Sequence, residues 1–187
     1  MVSSRFRPEA VRRVIRSLFQ LCRRLKAKGA LMGATAVDAW GHARATQDID
    51  MLLDFTSEER DMVASAVVAM GGEIDADWAR ENPREDRMLR FRMEGIQVDV
   101  LRPFPPMSRD LLNRRKRRRC YGVDAWVLSL EDLIVLKLQV GRPRDIVVAL
   151  LVGHPELLSS EELLARLEFL RLGPEWQDVC TRIVETV

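Results

Sequence analysis

Two aspartates inside an apolar run, Asp48-Ile49-Asp50 in the stretch DIDMLLDF, constrain the fold of this chain more than any other feature. The alternation of acidic and apolar residues predicts a β-strand, on which Asp48 and Asp50 share one face about 6.5–7 Å apart. A charged side chain in such an apolar setting is costly unless a partner compensates its burial. Unless the strand assignment is wrong, the sequence predicts a cation beside this strand.

A third carboxylate follows the same logic in the stretch IQVDVL. Alternation places Ile96, Val98 and Val100 in the core and Asp99 on the opposite face. If the two strands are neighbours, three like charges converge and repel one another, and a divalent cation would remove that penalty. Mg²⁺ prefers hard oxygen ligands, and two such ions about 3.5–4 Å apart can promote in-line phosphoryl displacement.

The residues before the first aspartate strand suit a triphosphate. Gly33 can adopt backbone angles closed to other residues, and the helix predicted after it presents free N–H groups and a positive dipole end. Thr35 offers a hydroxyl there. Arg44 and Thr46 lie just ahead of the carboxylates and are candidates for contact with the same phosphates.

Hydrophobic periodicity predicts an α+β (mixed α/β) fold with a small mixed β-sheet flanked by helices, followed by a helical C-terminal part. A helix over 8–28, a short ALM strand, the helix ATAVDAW, the first aspartate strand and a helix capped by Thr56 and Glu59 are expected in that order. Residues 75–86 are expected to form a loop, and RMLRFRME with IQVDVL a hairpin. DLLNRRKRRRC is expected to be a short helix or loop, followed by a possible strand VDAWVL and then helices. The expected division is a core of residues 1–105 and a mostly helical part of residues 106–187.

Composition limits the class of protein. The 187-residue chain has 31% charged residues, and none of its apolar runs approaches the roughly 20 residues that span a membrane. Its N-terminus lacks the apolar segment of a secretory signal, so the cytoplasm is the expected compartment. The three cysteines fit no disulfide or zinc spacing and are expected to be reduced thiols.

The ordered motifs resemble the nucleotidyltransferase superfamily, which has the fold of DNA polymerase beta. The turn Gly33-Ala34, the pair Asp48 and Asp50, and the later Asp99 carry that resemblance. More narrowly, G-x-x-A followed by G-x-x-R-x-T-x-D-I-D resembles small bacterial nucleotidyltransferases related to the abortive-infection (AbiEii-like) toxins. Further matches to that group are Glu131-Asp132-Leu133, Lys137-Leu138, Gly141-Arg142 and Asp145, so that the resemblance spans residues 28–150.

The resemblance implies a role for each matching position. Asp48, Asp50 and Asp99 would hold Mg²⁺ or Mn²⁺, and Asp99 would also help to activate the attacking hydroxyl. Bound phosphates would contact the turn and the loop before the strand, through Gly33, Ala34, Thr35, Arg44 and Thr46. Ala34 stands where the family usually has Gly or Ser. Lys137 would reach the nucleotide phosphates, supported by Asp145.

Structural alternatives remain for several of these residues. Thr46 could simply occupy a strand edge, and Arg44 could pair with an aspartate of the cluster. A lysine on an apolar helix usually extends to water, so Lys137 is placed at the site by the resemblance alone. Asp145 could be only a favourable charge near a helix N-terminus.

The run Arg114–Arg119 contains six adjacent basic residues, which are normally solvated or bound to a polyanion. RNA such as tRNA is the favoured partner, because the understood toxins of the group act on RNA; a solvated face or an acidic protein partner is the alternative. Phosphate contacts of this kind are independent of sequence and weaken steeply with salt.

The sequence therefore predicts a Mg²⁺-dependent nucleotidyltransferase that moves a nucleoside monophosphate from a nucleoside triphosphate (NTP) to a hydroxyl acceptor, with RNA favoured. A toxin role with an antitoxin partner is a further expectation, whereas a membrane partner is not expected. Two alternatives stay open: a protein of the same fold that binds nucleotide or a partner without turnover, and an enzyme whose acceptor is a protein or a small molecule such as an aminoglycoside.

Overall fold

The structure is a computed structural model that describes residues 7–42, 47–82, 86–104, 109–141 and 145–186. The chain forms two compact units. One comprises Met1–Ala39 and Ala43–Leu128, and the other comprises Trp40–His42 and Ser129–Val187. No helix in the described part of the chain has the length and apolar character that a membrane span requires.

The first unit contains a seven-stranded mixed sheet in the order β3-β4-β5-β2-β1-β7-β6. Its strands are β1 (Gly29–Met32), β2 (Asp48–Leu53), β3 (Glu73–Ile74), β4 (Met88–Met93), β5 (Ile96–Leu101), β6 (Lys116–Cys120) and β7 (Val123–Val127). Strand β2 runs parallel to β5 and antiparallel to β1. The aspartate strand is thus at the centre of the sheet, between two partners.

The helices of this unit are α1 (Pro8–Leu25), α2 (Gly33–Ala39), α3 (Arg60–Val68), α4 (Ala76–Glu81) and α5 (Asp110–Asn113). The apolar stripe of α1, including Val14, Ile15 and Leu18, is buried. Gly29 brings β1 so close to α1 that a Cβ there would lie 2.5 Å from Met51 Cε and 2.6 Å from Cys22 Sγ. The predicted apolar face of β2 is therefore the face that packs against α1.

The hairpin and the fold class agree with the sequence prediction. Strands β4 and β5 pair from Met93 opposite Ile96, and the two turn residues Glu94 and Gly95 have φ values of 53° and 74°. Two consecutive positive φ angles are the geometry of a tight hairpin turn. The mixed sheet with flanking helices confirms the predicted α+β class.

Two sequence predictions are wrong. The predicted loop over 75–86 contains the helix α4, because the Asp75 carboxylate accepts a hydrogen bond from the Trp78 N–H at 2.9 Å and caps its first turn. The segment DLLNRRKRRRC is predicted as a short helix or loop. Its first four residues form the helix α5, as predicted, but Lys116–Cys120 form the edge strand β6, which pairs with β7 through the turn Tyr121-Gly122. Exposed basic side chains on an edge strand also discourage pairing with another chain.

The strand β6 also affects the division of the chain. The sequence places the boundary after residue 105, whereas the compact units divide between Leu128 and Ser129. The segment that contains β6 and β7 belongs to the sheet unit, because β7 pairs with β1 at Leu31 and Val127.

The second unit is helical where it is described. It contains α6 (Leu130–Gln139), α7 (Asp145–Gly153), a short 3₁₀ helix (Pro155–Ser159), α8 (Glu161–Phe169) and α9 (Gly173–Thr186). Ser129 caps α6 by accepting a hydrogen bond from the Asp132 N–H at 3.2 Å. The Asp132 side chain is buried and accepts hydrogen bonds from the Ser129 hydroxyl at 2.9 Å and from Arg166 Nη1 at 2.6 Å. This buried ion pair joins α6 to α8.

Candidate active site

Three carboxylates meet on one face of the sheet. Asp50 on β2 is in register with Asp99 on β5, and Asp48 lies two residues earlier on the same side of β2. One carboxylate oxygen from each of the three lies within 4.8 Å of the others. Asp99 is 5% exposed, and the other two are half-buried. The structure thus brings together the three residues that the sequence selects as metal ligands.

Gly33, at the end of β1, sets the close approach of the backbone to this cluster. Its φ is +62°, in the left-handed region that favours glycine, and a Cβ there would lie 1.9 Å from Asp50 Oδ2. Both the conformation and the space therefore require glycine. The absence of a side chain leaves the backbone of the turn directly beside the carboxylate.

Arg90 on β4 is the ionic partner of Asp99. Its Nε and Nη2 atoms donate to Asp99 Oδ1 and Oδ2, each at 2.8 Å, and Gln97 Nε2 lies 3.4 Å from Oδ2. The hydrogen bonds to Asp99 raise the pKa of Arg90 above its ordinary value against the opposing effect of burial, and the charges of Asp99, Asp75 and Asp48 raise it further. Arg90 is therefore a permanent cation at the edge of the carboxylate cluster.

The donor set of this cluster fits a divalent cation. The cluster supplies three carboxylates, whose donors are the hard oxygens that Mg²⁺ and Mn²⁺ prefer. The glycine at position 33 keeps a side chain out of the space beside Asp50. The residues that would hold such ions are Asp48, Asp50 and Asp99.

The residues of the turn after β1 differ in their access to this site. Ala34 is half-buried at the start of α2. The Thr35 side chain is 1% exposed, and among the described residues no hydrogen-bond partner lies within reach of its Oγ1 atom. The Thr35 carbonyl faces Cys120 on β6, whose Sγ lies 3.7 Å from it. The Thr35 hydroxyl is thus buried among the described residues, and its contact with phosphate stays a prediction.

Four further predicted residues stay predictions. Arg44 and Thr46 lie outside the described residues. Lys137 is half-buried in the last turn of α6, in the second unit. Asp145 is the first residue of α7, and its side chain is also outside what the structure describes.

Sequence reasoning missed Arg90, although the signal was present. Once RMLRFRME and IQVDVL are joined by a two-residue turn, counting back from Met93 opposite Ile96 places Arg90 opposite Asp99. A basic residue directly across a hairpin from an acidic one is a favourable cross-strand pair.

A cationic surface lies elsewhere on the same unit, around β6 and the C-terminal end of α1. A cavity of about 420 Å³ there is lined by five cations and one acid: Arg23, Lys26, Lys28, Arg115, Arg117 and Asp124. The guanidinium groups of Arg115 and Arg117 lie 4.6 and 5.5 Å from the centre of the Trp126 ring. The aromatic partner of the basic strand thus comes from β7, which the sequence did not reveal.

The sequence of residues 11–152 matches the family described as "Nucleotidyltransferase of unknown function (DUF6036)". The chain belongs to this nucleotidyltransferase family. No curated protein matches the sequence of the enzyme. The resemblance to the nucleotidyltransferase superfamily is confirmed, whereas the narrower likeness to the AbiEii-like toxins is not.

Solved structures agree with the family in fold. The antibiotic-resistance factor ANT(2")-Ia, in complex with adenylyl-2"-tobramycin, has a TM-score of 0.56 and 14% identity, over 84% of this nucleotidyltransferase and 95% of that chain. An antigenic nucleotidyltransferase-like protein from Paracoccidioides brasiliensis has a TM-score of 0.56 and 15% identity, over 91% and 92% of the two chains. A candidate nucleotidyltransferase from Thermotoga maritima has a TM-score of 0.53 and 17% identity, over 74% and 88%. At these identities the likeness concerns the fold.

Proposed function

We propose that this nucleotidyltransferase uses Mg²⁺ or Mn²⁺ to move a nucleoside monophosphate from an NTP to a hydroxyl acceptor, with release of pyrophosphate. The observation that carries the proposal is the convergence of Asp48, Asp50 and Asp99 on one face of the sheet, with an oxygen of each within 4.8 Å of the others. Divalent ions held there would neutralise charge on the triphosphate and on the attacking and leaving oxygens.

The residues of the chain have separate tasks in this proposal. Asp48 and Asp50 hold the cation from β2, and Asp99 holds it from β5. Asp99 would also accept the proton of the attacking hydroxyl, which gives it a second role. The backbone beside Gly33 can approach the phosphates because no side chain intervenes. Most of the rate enhancement would then come from positioning and charge neutralisation.

RNA is the acceptor that the charge distribution favours. The exposed basic side chains of β6 and the cationic cavity beside them belong to the same unit as the three carboxylates. Contacts from these side chains to phosphates would be largely independent of sequence and would weaken as salt rises. The cavity has a single acidic lining residue, Asp124, and five cations, a charge balance that suits a polyanion.

A small-molecule acceptor is the second candidate, because ANT(2")-Ia shares the fold and its structure holds adenylyl-2"-tobramycin. The two acceptors can be compared in one assay. The purified protein is incubated with each α-labelled NTP, Mg²⁺ and either total tRNA or tobramycin. We expect the wild-type protein to transfer label to RNA, and a variant with both Asp48→Asn and Asp50→Asn to transfer none. The control Asp54→Asn should transfer label as wild type does, because the Asp54 carboxylate, in the same segment, pairs with Arg109.

The outcomes separate the parts of the proposal. Label on tobramycin and none on RNA would change the acceptor and keep the chemistry. Absence of transfer to either acceptor, together with absence of NTP binding by calorimetry, would reject the enzyme proposal in favour of a partner-binding protein. Equal transfer by the Asp48→Asn, Asp50→Asn variant would show that the three carboxylates are not the metal site.

The toxin role belongs to the same proposal. If the acceptor is a cellular RNA, expression of the wild-type enzyme should arrest growth, and expression of the Asp48→Asn, Asp50→Asn variant should not. Relief of that arrest by a co-expressed neighbouring protein would support an antitoxin partner. Normal growth of cells that contain the active enzyme would contradict the toxin role and leave the transfer chemistry intact.

A further inference from the structure

Both oxygens of Asp99 are engaged by one guanidinium. Arg90 Nε and Nη2 each donate at 2.8 Å, which is the bidentate fork geometry of a strong arginine–carboxylate pair. The pair is sheltered, since the side chains of Arg90 and Asp99 are 23% and 7% exposed. A divalent ion at the three carboxylates must therefore share Asp99 with Arg90 or displace it.

The position of Arg90 is fixed by the short helix that the sequence did not predict. The Asp75 backbone N–H donates to the Arg90 carbonyl at 3.0 Å, and the Asp75 carboxylate caps α4 at the Trp78 N–H. The Trp78 ring, held in that first turn, lies 5.0 Å from the Arg90 guanidinium carbon. Arg90 is thus held against Asp99 by a backbone hydrogen bond from Asp75 and by the contact of its guanidinium with the Trp78 ring.

We propose that Arg90 is a resident counter-ion that orients Asp99 in the metal-free enzyme and competes with the divalent ion for that carboxylate. The proposal rests on the proposed function, because it takes the three carboxylates as the metal site. Arg90 is in this sense a positioning residue, which acts on the reaction through Asp99.

The direction of the effect on metal affinity distinguishes this role from simple support of the fold. If Arg90 only maintains the structure, its removal distorts the cluster and weakens metal binding. If Arg90 competes with the ion, its removal frees both oxygens of Asp99 from the guanidinium, and metal binding becomes stronger. Removal of a unit positive charge that directly contacts a ligand carboxylate strengthens the attraction of the cluster for a divalent ion, and we expect a change in ion affinity of about tenfold or more.

The chain offers a matched control for charge. Arg92 lies two residues along β4 on the same face, opposite Gln97, and its side chain is exposed. Arg92→Gln removes the same charge from the same face without touching Asp99. Arg90→Lys keeps the charge at position 90 but cannot make the bidentate fork.

The experiment measures the binding of Mn²⁺ alone to the full-length, metal-free protein by electron paramagnetic resonance of the free ion. We expect Arg90→Gln to lower the dissociation constant about tenfold, Arg90→Lys to lower it by less, and Arg92→Gln to leave it within about twofold of wild type. We also expect Mn²⁺ to raise the melting temperature of Arg90→Gln by more than that of wild type, because ligand stabilisation increases with affinity. The turnover number of Arg90→Gln should fall despite the tighter ion, since Asp99 loses its orienting partner.

Unchanged or weaker Mn²⁺ binding by Arg90→Gln would overturn the inference, and so would an Arg92→Gln effect of equal size. The Asp48→Asn, Asp50→Asn variant separates this failure from failure of the proposed function. If that variant binds Mn²⁺ as well as wild type does, the ions lie elsewhere and both proposals fail. If it loses Mn²⁺ while Arg90→Gln gains none, the inference about Arg90 fails alone.

Discussion

Replacement of Asp132 by alanine should destabilise the helical unit more than most single substitutions. The Asp132 side chain is 2% exposed, and its partner Arg166 is 19% exposed. Removal of one member of a buried ion pair typically costs about 3–5 kcal/mol. Among the described residues, Arg166 would keep only its pair with Glu162, whose side chain is 59% exposed. The Ser129 hydroxyl, which donates to Asp132 at 2.9 Å, would also lose its acceptor.

The assay is urea unfolding followed by far-ultraviolet circular dichroism. With a slope of about 2 kcal/mol per molar urea, a loss of 3–5 kcal/mol lowers the midpoint by about 1.5–2.5 M. The control Asp178→Ala removes an exposed carboxylate from the same unit, whose pair with Arg182 is 38% and 45% exposed, and should cost less than about 1 kcal/mol. A loss below about 1 kcal/mol for Asp132→Ala would show that the Asp132–Arg166 pair does not stabilise the helical unit as proposed. A double Asp132→Leu, Arg166→Leu variant should recover part of the loss, since an apolar pair requires no compensation.

Three further predictions follow from glycine geometry and cysteine burial. Gly33→Ala should lower the free energy of unfolding by about 1–2 kcal/mol, because of its left-handed backbone, and should also weaken Mn²⁺ binding in calorimetry. The control Gly71→Ala, with φ +82° and no atom within 4 Å of its Cβ position, should lower stability alone. Equal Mn²⁺ affinity in both variants would contradict the role assigned to Gly33. Burial raises the pKa of Cys22 and Cys120 to about 12. At pH 8 a thiol reagent should therefore label the less buried Cys180 first, and all three cysteines only after unfolding. Early labelling of Cys22 would contradict this. The thiols of Cys22 and Cys120 keep their protons in the folded state at pH values where the unfolded chain has lost them. Their contribution to the free energy of unfolding is therefore complete below pH 9 and falls between pH 9 and 12. Cys22→Ala should make this fall smaller in urea titrations at increasing pH.

The centre of the sheet could be predicted because its signals are local. Alternation alone assigns Asp48 and Asp50 to one face of a strand, and Asp99 to the face of another strand opposite its apolar residues. The Glu94-Gly95 turn then fixes the register of the hairpin, and the same register contains the pairing of Arg90 with Asp99. That pair was missed because the hairpin was interpreted only for its apolar face.

The parts that could not be predicted depend on contacts distant in sequence. The basic run has no apolar alternation, and it becomes a strand because β7 supplies a pairing partner and Trp126 supplies a surface for its arginines. The burial of Thr35 in α2 also depends on a distant contact, because Cys120 Sγ on β6 lies 3.7 Å from the Thr35 carbonyl. Tertiary packing decides both cases, and a sequence pattern does not report it.

The most direct test of the central claim is anomalous diffraction from crystals grown with Mn²⁺ and an NTP analogue that cannot be cleaved between the α- and β-phosphates. We expect manganese peaks within coordination distance, about 2.0–2.3 Å, of oxygens from Asp48, Asp50 and Asp99, with the phosphates beside Gly33. Manganese and phosphates bound away from these carboxylates, or an Arg90–Asp99 pair with all three aspartates free of metal, would contradict it.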